Sequence, residues 1–353
     1  MKSWTAFALA ITLMACKATY ASTFLYVSLK GEEAIAIYRF DEQSGKLTRT
    51  GEIAVTGEPG AMTTNPNRSR LYAAIRSRGE LASFNINAKT GELTPINVVT
   101  TAADPAHLIT DQSGAFLLSA YYVAGKVAVH SIHADGSISE QGRWYVTDDK
   151  AHAVAIDDQN RWTFVPHTGP NAIFQFEFDP TSGRLTPNTP NKLSSDANTG
   201  PRHFAFHPTQ DYAYSDNEQG SSVTVFHFDR TNGQLEPIET LSTLPKDFNQ
   251  PNTCARMEVT PNGRFLYAAN RGHDSIAGFR IDDKDGSITR IGIFPTEQTP
   301  RSLNVDPTGH FLVAAGQDSN QLAVYRIATT GTLNRLATVP VGKTPWWVMF
   351  VRP

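Results

Sequence analysis

Leu25-Tyr26-Val27 is the first of seven short apolar triplets that recur along this chain of 353 residues. The other six are Leu71-Tyr72-Ala73, Leu117-Leu118-Ser119, Thr163-Phe164-Val165, Ala213-Tyr214-Ser215, Leu266-Tyr267-Ala268 and Leu312-Val313-Ala314. Successive copies lie about 46 residues apart, and the spacing stretches to about 50 or slightly more around the fourth and fifth copies. A period of this length indicates one structural unit that is repeated seven times.

Each unit has the pattern of four short strands. The triplet is followed by an alternating run such as Val223-Thr224-Val225-Phe226, and then by a glycine turn such as Asn232-Gly233-Gln234-Leu235. Period-two alternation is typical of strands, and the glycine supplies the positive φ of a hairpin turn. The unit is completed by a strand that often opens with proline, such as Pro201. Proline is tolerated at the first residue of a strand because its missing N–H removes no hydrogen bond of the ladder.

One such unit cannot bury both of its faces, whereas seven units closed into a ring can. The sequence therefore predicts an all-β, seven-bladed β-propeller with four antiparallel strands in each blade. An open sandwich or a two-domain protein is the alternative. The chain begins at the second strand of a unit, at Leu25, and ends with a first strand over residues 345–351. We therefore expect the N- and C-terminal strands to pair and close the ring, with residues 22–353 as one domain.

The N-terminus has the pattern of an export signal. Met1-Lys2 precedes an apolar run over residues 6–15, and Thr19-Tyr20-Ala21 resembles a cleavage site. The apolar run is too short to span a membrane. Residues 1–21 are thus predicted to be a signal peptide and the mature protein to be periplasmic or secreted. Leu13-Met14-Ala15-Cys16 also resembles a lipoprotein signal, which leaves lipidation of Cys16 as an alternative.

Composition narrows the function classes. The formal net charge of -3 gives no basic field for nucleic acid. The two cysteines are Cys16 and Cys254, and cleavage near Ala21 would leave only the second, so no intramolecular disulfide is expected. The chain has no CxxC pair and no HExxH motif. We predict no metal and no cofactor, and the sequence makes no prediction about protein partners.

Alignment of the seven units predicts one mouth of the central channel. The start of a blade's first strand and the end of its second strand lie at the same edge, and both face the channel mouth because the first strand is innermost. The first position contains Gly60, Ala106, His152, Arg202, Ala255, Arg301 and Trp346. The second position contains Lys30, Arg76, Tyr122, Thr168, Glu218, Arg271 and Gln317. A purely structural repeat would place similar residues at each position, but these positions differ and collect cations around a single carboxylate, Glu218.

This collection favours ester chemistry. Arginine side chains bind carboxylate or phosphate in bidentate geometry, and fixed cations stabilise the oxyanion of lactone opening. A base that activates water is also needed, and His152 or Glu218 fits that role. His152 or Glu218 is thus the candidate base, and Arg202 and Arg271 are candidate cations beside it. The predicted substrate-binding residues are Arg301, His203, Arg76, Asn217, Gln317 and Lys30. His107, His167, His207 and His273 are assigned structural or surface roles.

Several segments resemble those of a known family. They are Gly200-Pro201-Arg202-His203-Phe204-Ala205-Phe206-His207-Pro208, Tyr214-Ser215-Asp216-Asn217-Glu218, Thr260-Pro261-Asn262-Gly263-Arg264-Phe265-Leu266-Tyr267, Thr296-Glu297-Gln298-Thr299-Pro300-Arg301 and Ala314-Ala315-Gly316-Gln317. From about Thr23 onward the chain resembles the seven-bladed propeller lactonases, which include bacterial 6-phosphogluconolactonases and are related to carboxy-cis,cis-muconate cyclase. The resemblance implies lactone hydrolysis, with the family's His, two Arg and Glu falling on His152, Arg202, Glu218 and Arg271.

The predicted reaction is hydrolysis of a small anionic lactone or sugar-acid lactone. Because the phosphogluconolactonases of this family are cytoplasmic, an exported member implies a gluconolactone-like substrate or another acidic lactone. Cycloisomerisation of an unsaturated diacid is a first alternative, since it uses the same arginines with a proton donor instead of a water-activating base. A non-catalytic, ligand-binding propeller of the periplasm is a second. A calcium-dependent lactonase would need more carboxylate ligands than the aligned positions supply.

Overall fold

The computed structural model describes residues 22–101 and 103–353, and these form seven antiparallel sheets of four strands arranged in a ring. In chain order the strands are β1 (Thr23–Leu29), β2 (Ala34–Phe40), β3 (Leu47–Ala54), β4 (Pro59–Thr64), β5 (Arg70–Ile75), β6 (Glu80–Ile86), β7 (Leu93–Thr100), β8 (Pro105–Thr110), β9 (Phe116–Tyr121), β10 (Lys126–Ile132), β11 (Ile138–Val146), β12 (Ala155–Ile156), β13 (Trp162–His167), β14 (Ala172–Asp179), β15 (Arg184–Ser194), β16 (Pro201–Phe206), β17 (Tyr212–Asn217), β18 (Ser222–Asp229), β19 (Gln234–Ser242), β20 (Thr253–Val259), β21 (Phe265–Arg271), β22 (Ser275–Ile281), β23 (Ile288–Pro295), β24 (Pro300–Val305), β25 (Phe311–Gly316), β26 (Gln321–Ile327), β27 (Leu333–Pro340) and β28 (Pro345–Val351). Short 3₁₀ turns at Lys30–Glu32 and Arg76–Arg78 follow β1 and β5.

The seven-bladed prediction is confirmed, and so is the closure of the ring. Blade 1 has the order β28-β1-β2-β3, and blades 2 to 7 follow in groups of four from β4–β7 to β24–β27. The last strand of the chain pairs antiparallel with the first, placing Val348 opposite Val27. The first described strand and the last are therefore held by hydrogen bonds and by burial in the same sheet.

The repeated triplet and the repeated glycine turn meet where neighbouring blades pack. The hydroxyl of Tyr267 in blade 6 donates to the carbonyl of Gly331 in blade 7 at 2.7 Å, and the ring of Phe265 lies against the same glycine. Gly331 has a φ of +87°, and a Cβ there would stand 2.4 Å from Ile291 and 2.6 Å from Phe265. The glycine is thus required both by the turn and by the aromatic ring that covers it. Tyr26 and Tyr214 donate in the same way to Gly91 and Gly286.

A β-bulge at the start of every innermost strand aims side chains at the channel. In blade 5, Pro201 pairs with Asn217 but His203 pairs with Asp216, so Arg202 is an extra residue. In the other six blades the innermost strand likewise has one more residue than the second strand over the segment near its start. Bulges redirect side chains and are common beside functional sites. The bulge therefore lets two consecutive residues of a strand face the channel.

Two predictions concern the first 21 residues. The signal peptide over residues 1–21 and the lipidation of Cys16 lie outside the described residues. Within the part of the chain that the structure describes, no helix is long and apolar enough to cross a membrane. Cys254 is free and buried.

Candidate active site

Glu218 stands between two arginines at the channel mouth. Its Oε1 accepts a hydrogen bond from Arg271 Nη2 at 2.8 Å, and its Oε2 lies 3.4 Å from Arg202 Nε. Arg271 Nη2 also donates to the carbonyl of Cys254 at 2.8 Å. Burial raises the pKa of Glu218, but the two arginines outweigh it and hold the pKa below its usual value. Glu218 is therefore an ionised, fixed group that orients Arg202 and Arg271.

Arg301 completes this group without a carboxylate of its own. Its guanidinium forms no ion pair or hydrogen bond with any described residue, and its Cζ lies 3.5 Å from the centroid of the Trp346 ring. Partial burial and the nearby Arg202, Arg271 and Arg76 lower the pKa of Arg301 well below its usual value. The cation–π contact with Trp346 compensates for only part of this crowding. Arg202, Glu218, Arg271 and Arg301, here called the arginine cluster, thus carry excess positive charge.

His152 faces the same opening as a neutral imidazole. The residue is 8% exposed, and no described residue forms a hydrogen bond with its buried Nδ1. Burial, followed by the positive charge of Arg202, lowers the pKa of His152 well below its usual value. Tyr122 meets the ring edge to face at 5.7 Å and accepts a long hydrogen bond from Thr168 at 3.4 Å. The uncharged Tyr122 therefore packs against His152, and the uncharged Thr168 holds Tyr122 in place.

His203 lies next to His152, with 5.1 Å between the ring centroids. Its Nδ1 is 2.8 Å from Arg202 Nη1 and 3.1 Å from the carbonyl of Ala255. A deprotonated Nδ1 accepts from Arg202, whereas a protonated Nδ1 donates to the carbonyl, so only one of these bonds exists at a time. Burial and the charges of Arg202 and Arg256 keep the pKa of His203 well below its usual value.

Deeper in the channel lie residues that the aligned positions do not include. The ring of His107 lies 5.8 Å from that of His203 and 5.5 Å from that of Trp347, so His107 belongs to the channel lining. Arg256 stacks over Trp347 at 4.0 Å, donates to the carbonyl of Val348 at 2.7 Å and pairs with Glu258. His107, His203, Arg256 and Trp347 each follow an aligned mouth position by one residue. The bulge makes that next residue face inward, which is the signal that would have revealed His107 and Trp347.

Two buried groups, Asp216 and Cys254, lie next to the residues of the mouth. Asp216 Oδ1 accepts the backbone N–H of His203 at 2.7 Å, and burial raises the pKa of this carboxyl to about 7. Cys254 is fully buried beside Thr243, and burial raises the pKa of its thiol to about 12. The thiol is therefore protonated at neutral pH and belongs to the packing of blade 6.

Lys30 and Arg76 lie on the opposite side of the mouth, where each is paired. Lys30 Nζ is 3.2 Å from Glu58 Oε2, and Arg76 Nη2 is 2.8 Å from Asp104 Oδ2. These pairs line a cavity of about 290 Å³ over blades 1 and 2, called the side pocket below. Its lining comprises Lys30, Glu58, Pro59, Gly60, Arg76, Ser77, Asp104 and Trp346. The central opening is lined by Arg76, Ala106, His152, Arg202, His203, Arg301, Trp346 and Trp347.

Two predicted substrate-binding residues are not brought into the opening. The side chain of Asn217 donates to Ser222 and Thr224 of its own blade, at 2.9 Å each. Gln317 donates to the exposed Asp318 at 3.0 Å. Neither residue lines the central opening or the side pocket. The other eight predicted residues lie around the mouth, either lining these cavities or, as with Glu218 and Arg271, paired behind them.

The family of the chain is evident from comparison with known proteins. The sequence model of the family described as "Lactonase, 7-bladed beta-propeller" matches residues 16–350. A 6-phosphogluconolactonase of Pectobacterium carotovorum subsp. carotovorum is 36% identical over 325 residues, which cover 92% of this chain and 83% of the relative. A 6-phosphogluconolactonase of Pectobacterium atrosepticum is 34% identical with the same coverage. A solved periplasmic gluconolactonase of Pseudomonas aeruginosa is 26% identical, with a TM-score of 0.87 over 94% of this chain and 100% of that one.

Proposed function

This chain belongs to the seven-bladed β-propeller lactonases, which are lactone-hydrolysing enzymes, and we propose that it hydrolyses a sugar lactone at the opening beside the arginine cluster. A water oxygen attacks the lactone carbonyl carbon as its proton passes to a base. The tetrahedral oxyanion then collapses, the ring C–O bond breaks, and the leaving alkoxide takes the proton back from the base. The product is a hydroxy acid that ionises to its carboxylate.

The observation that carries this proposal is the excess positive charge of the arginine cluster. A neutral lactone becomes negative only as it reacts, first at the tetrahedral oxygen and then at the product carboxylate. Arg202 and Arg271 are fixed by Glu218, and Arg301 remains available for that new charge. Preorganised cations that meet developing charge stabilise the transition state more than the ground state.

We assign the water-activating base to His152. Glu218 has both carboxylate oxygens beside arginines, and its lowered pKa makes it a poor proton acceptor. His152 is neutral, so it can accept a proton at neutral pH. Burial, followed by the positive charge of the arginines, disfavours the imidazolium that forms. Because the oxyanion forms in the same step, the added pair of opposite charges leaves the net charge of the mouth unchanged.

We infer the substrate class from the names of the relatives. Two are named 6-phosphogluconolactonases and a structural neighbour is named a periplasmic gluconolactonase, which supports a six-carbon sugar lactone as substrate. We propose that the protein acts outside the cytoplasm, which the export pattern of residues 1–21 and the name of that neighbour support.

The experiment that tests the proposal is acid release in a pH-stat, corrected for spontaneous hydrolysis. Purified protein is supplied with δ-gluconolactone and with 6-phosphogluconolactone, and cis,cis-muconate is followed in parallel by its ultraviolet absorbance. Acid release above background from either lactone supports the proposal. No release from both lactones, together with consumption of the diacid, would replace hydrolysis by cycloisomerisation.

A further inference from the structure

The side pocket lies beside the central opening. Arg76 and Trp346 line both cavities, so a ligand in the side pocket contacts residues that also border the central opening. Gly60 holds the aligned mouth position of blade 2, where four other blades carry Arg, His or Trp and two carry Ala. A Cβ at Gly60 would stand 3.3 Å from the side chain of Arg76. The missing side chain therefore lets the Arg76 side chain lie close to the backbone between the two cavities.

The charges of the side pocket balance. Lys30 pairs with Glu58 at 3.2 Å, and Arg76 pairs with Asp104 at 2.8 Å, so two cations face two carboxylates. This differs from the arginine cluster, where Arg301 has no carboxylate partner among the residues that the structure describes. A phosphate dianion in the side pocket would meet carboxylates as well as cations, and it could not accept a hydrogen bond from a carboxylate.

Hydroxyl groups fit this lining better than phosphate does. A hydroxyl both donates and accepts, so it can donate to Glu58 or Asp104 while it accepts from Lys30 or Arg76. Ser77 adds a further polar side chain, and the Nζ of Lys30 lies 4.7 Å from the centroid of the Trp346 ring, so the lining is largely polar. The volume of about 290 Å³ leaves room for more than a hydroxymethyl group.

We infer that the side pocket binds the neutral, hydroxyl-rich tail of the substrate and that the enzyme selects unphosphorylated sugar lactones over phosphorylated ones. This inference rests on the proposed function, because it assumes that the lactone ring occupies the central opening. The carboxylates Glu58 and Asp104 act here as specificity-determining residues. They supply acceptors for hydroxyls and repel a phosphate, and selectivity often uses such a repulsive element.

The test compares kcat/KM for δ-gluconolactone and 6-phosphogluconolactone. In the wild type we expect the unphosphorylated lactone to be preferred by about 10-fold or more. In the variants Glu58→Gln and Asp104→Asn, which free Lys30 and Arg76, we expect the ratio to shift toward the phosphorylated lactone by about 5-fold or more. Glu236→Gln is the control, because Glu236 is exposed on the outermost strand of blade 5 and should leave the ratio unchanged.

The outcomes separate this inference from the proposed function. If neither lactone is hydrolysed, the proposed function fails and the inference fails with it. If the wild type hydrolyses both but prefers the phosphorylated lactone, the function stands and the inference is overturned. A ratio that stays at its wild-type value in both Glu58→Gln and Asp104→Asn, with each variant as stable as the wild type, also overturns it.

Discussion

Two sides of the same mouth use equivalent positions of the repeat in different ways. On the side of blades 5 to 7, Arg202 is 3% exposed in its side chain, and it shares Glu218 with Arg271 beside the unpaired Arg301. On the side of blades 1 and 2, Lys30 and Glu58 form a pair with side chains that are 33% and 40% exposed. Burial and charge imbalance make the first side suited to stabilising new charge, whereas solvent and balanced pairs make the second suited to binding. The residue type alone does not distinguish them.

The largest effect should come from Arg202→Met. We expect kcat/KM to fall about 10³-fold, because this change removes a preorganised cation and releases Glu218 from one of its partners. Initial rates of acid release measure it. Arg184→Met is the matched control, since Arg184 is exposed on the outermost strand of blade 4. A circular dichroism spectrum that matches the wild type shows that the variant is folded, and wild-type rates in a folded Arg202→Met would contradict the assignment.

His152→Gln should have the next largest effect, a fall in kcat of about 10²-fold or more. In the wild type the acid limb of the kcat profile should lie below pH 6.5, because the pKa of His152 is lowered and the imidazole stays neutral in mildly acidic solution. The limb should disappear in the variant. His227→Gln, on an exposed position of β18, controls for loss of a histidine. An unchanged limb in His152→Gln would assign the base to another group.

Arg76→Met should weaken substrate binding without slowing the chemical step. We expect KM for δ-gluconolactone to rise about 5-fold with little change in kcat, because Arg76 is already paired and in the proposed binding mode holds a part of the substrate that does not change charge in the reaction. Full saturation curves give both constants. The comparison between the two sides would break down if kcat fell as far in this variant as in Arg202→Met.

The smallest effect concerns stability. His152 stays neutral in the fold with a lowered pKa, so the unfolded chain binds the additional proton as the pH falls below 6.5. This histidine therefore contributes no stability difference above that pH, and it destabilises the fold progressively below it. When the pH is lowered from 7.5 to 5.5, the Tm of His152→Gln should fall by about 2 °C less than the Tm of the wild type. Equal losses would mean that His152 can take up a proton inside the fold.

The fold could be predicted from the sequence because its signals are local and repeated. Each triplet forms a second strand, and the tyrosine and glycine that recur in several units are the ones that meet between blades, as Tyr267 and Gly331 do. Ring closure followed from where the repeat begins and ends. Alignment of the repeats also indicated the mouth positions, but not the residue that follows each of them, which the bulge turns toward the channel.

The site could be predicted only in part. His152, Arg202 and Arg301 were found because the aligned positions face the opening. Glu58 and Asp104 were missed because each directly precedes the proline of its innermost strand, two residues before the aligned position. Spacing cannot indicate that these carboxylates turn back to pair with Lys30 and Arg76, since that depends on loop conformation.

The most direct test of the account is the combined stability and activity of Arg301→Met. A partly buried cation without a carboxylate partner, crowded by other cations, destabilises the fold. If Arg301 is present for catalysis, its removal should therefore stabilise the protein. We predict that Arg301→Met raises Tm while kcat/KM for δ-gluconolactone falls about 10²-fold. A variant with lower Tm and unchanged kcat/KM would show that Arg301 is a structural residue, and it would contradict the claim that the excess positive charge serves lactone hydrolysis.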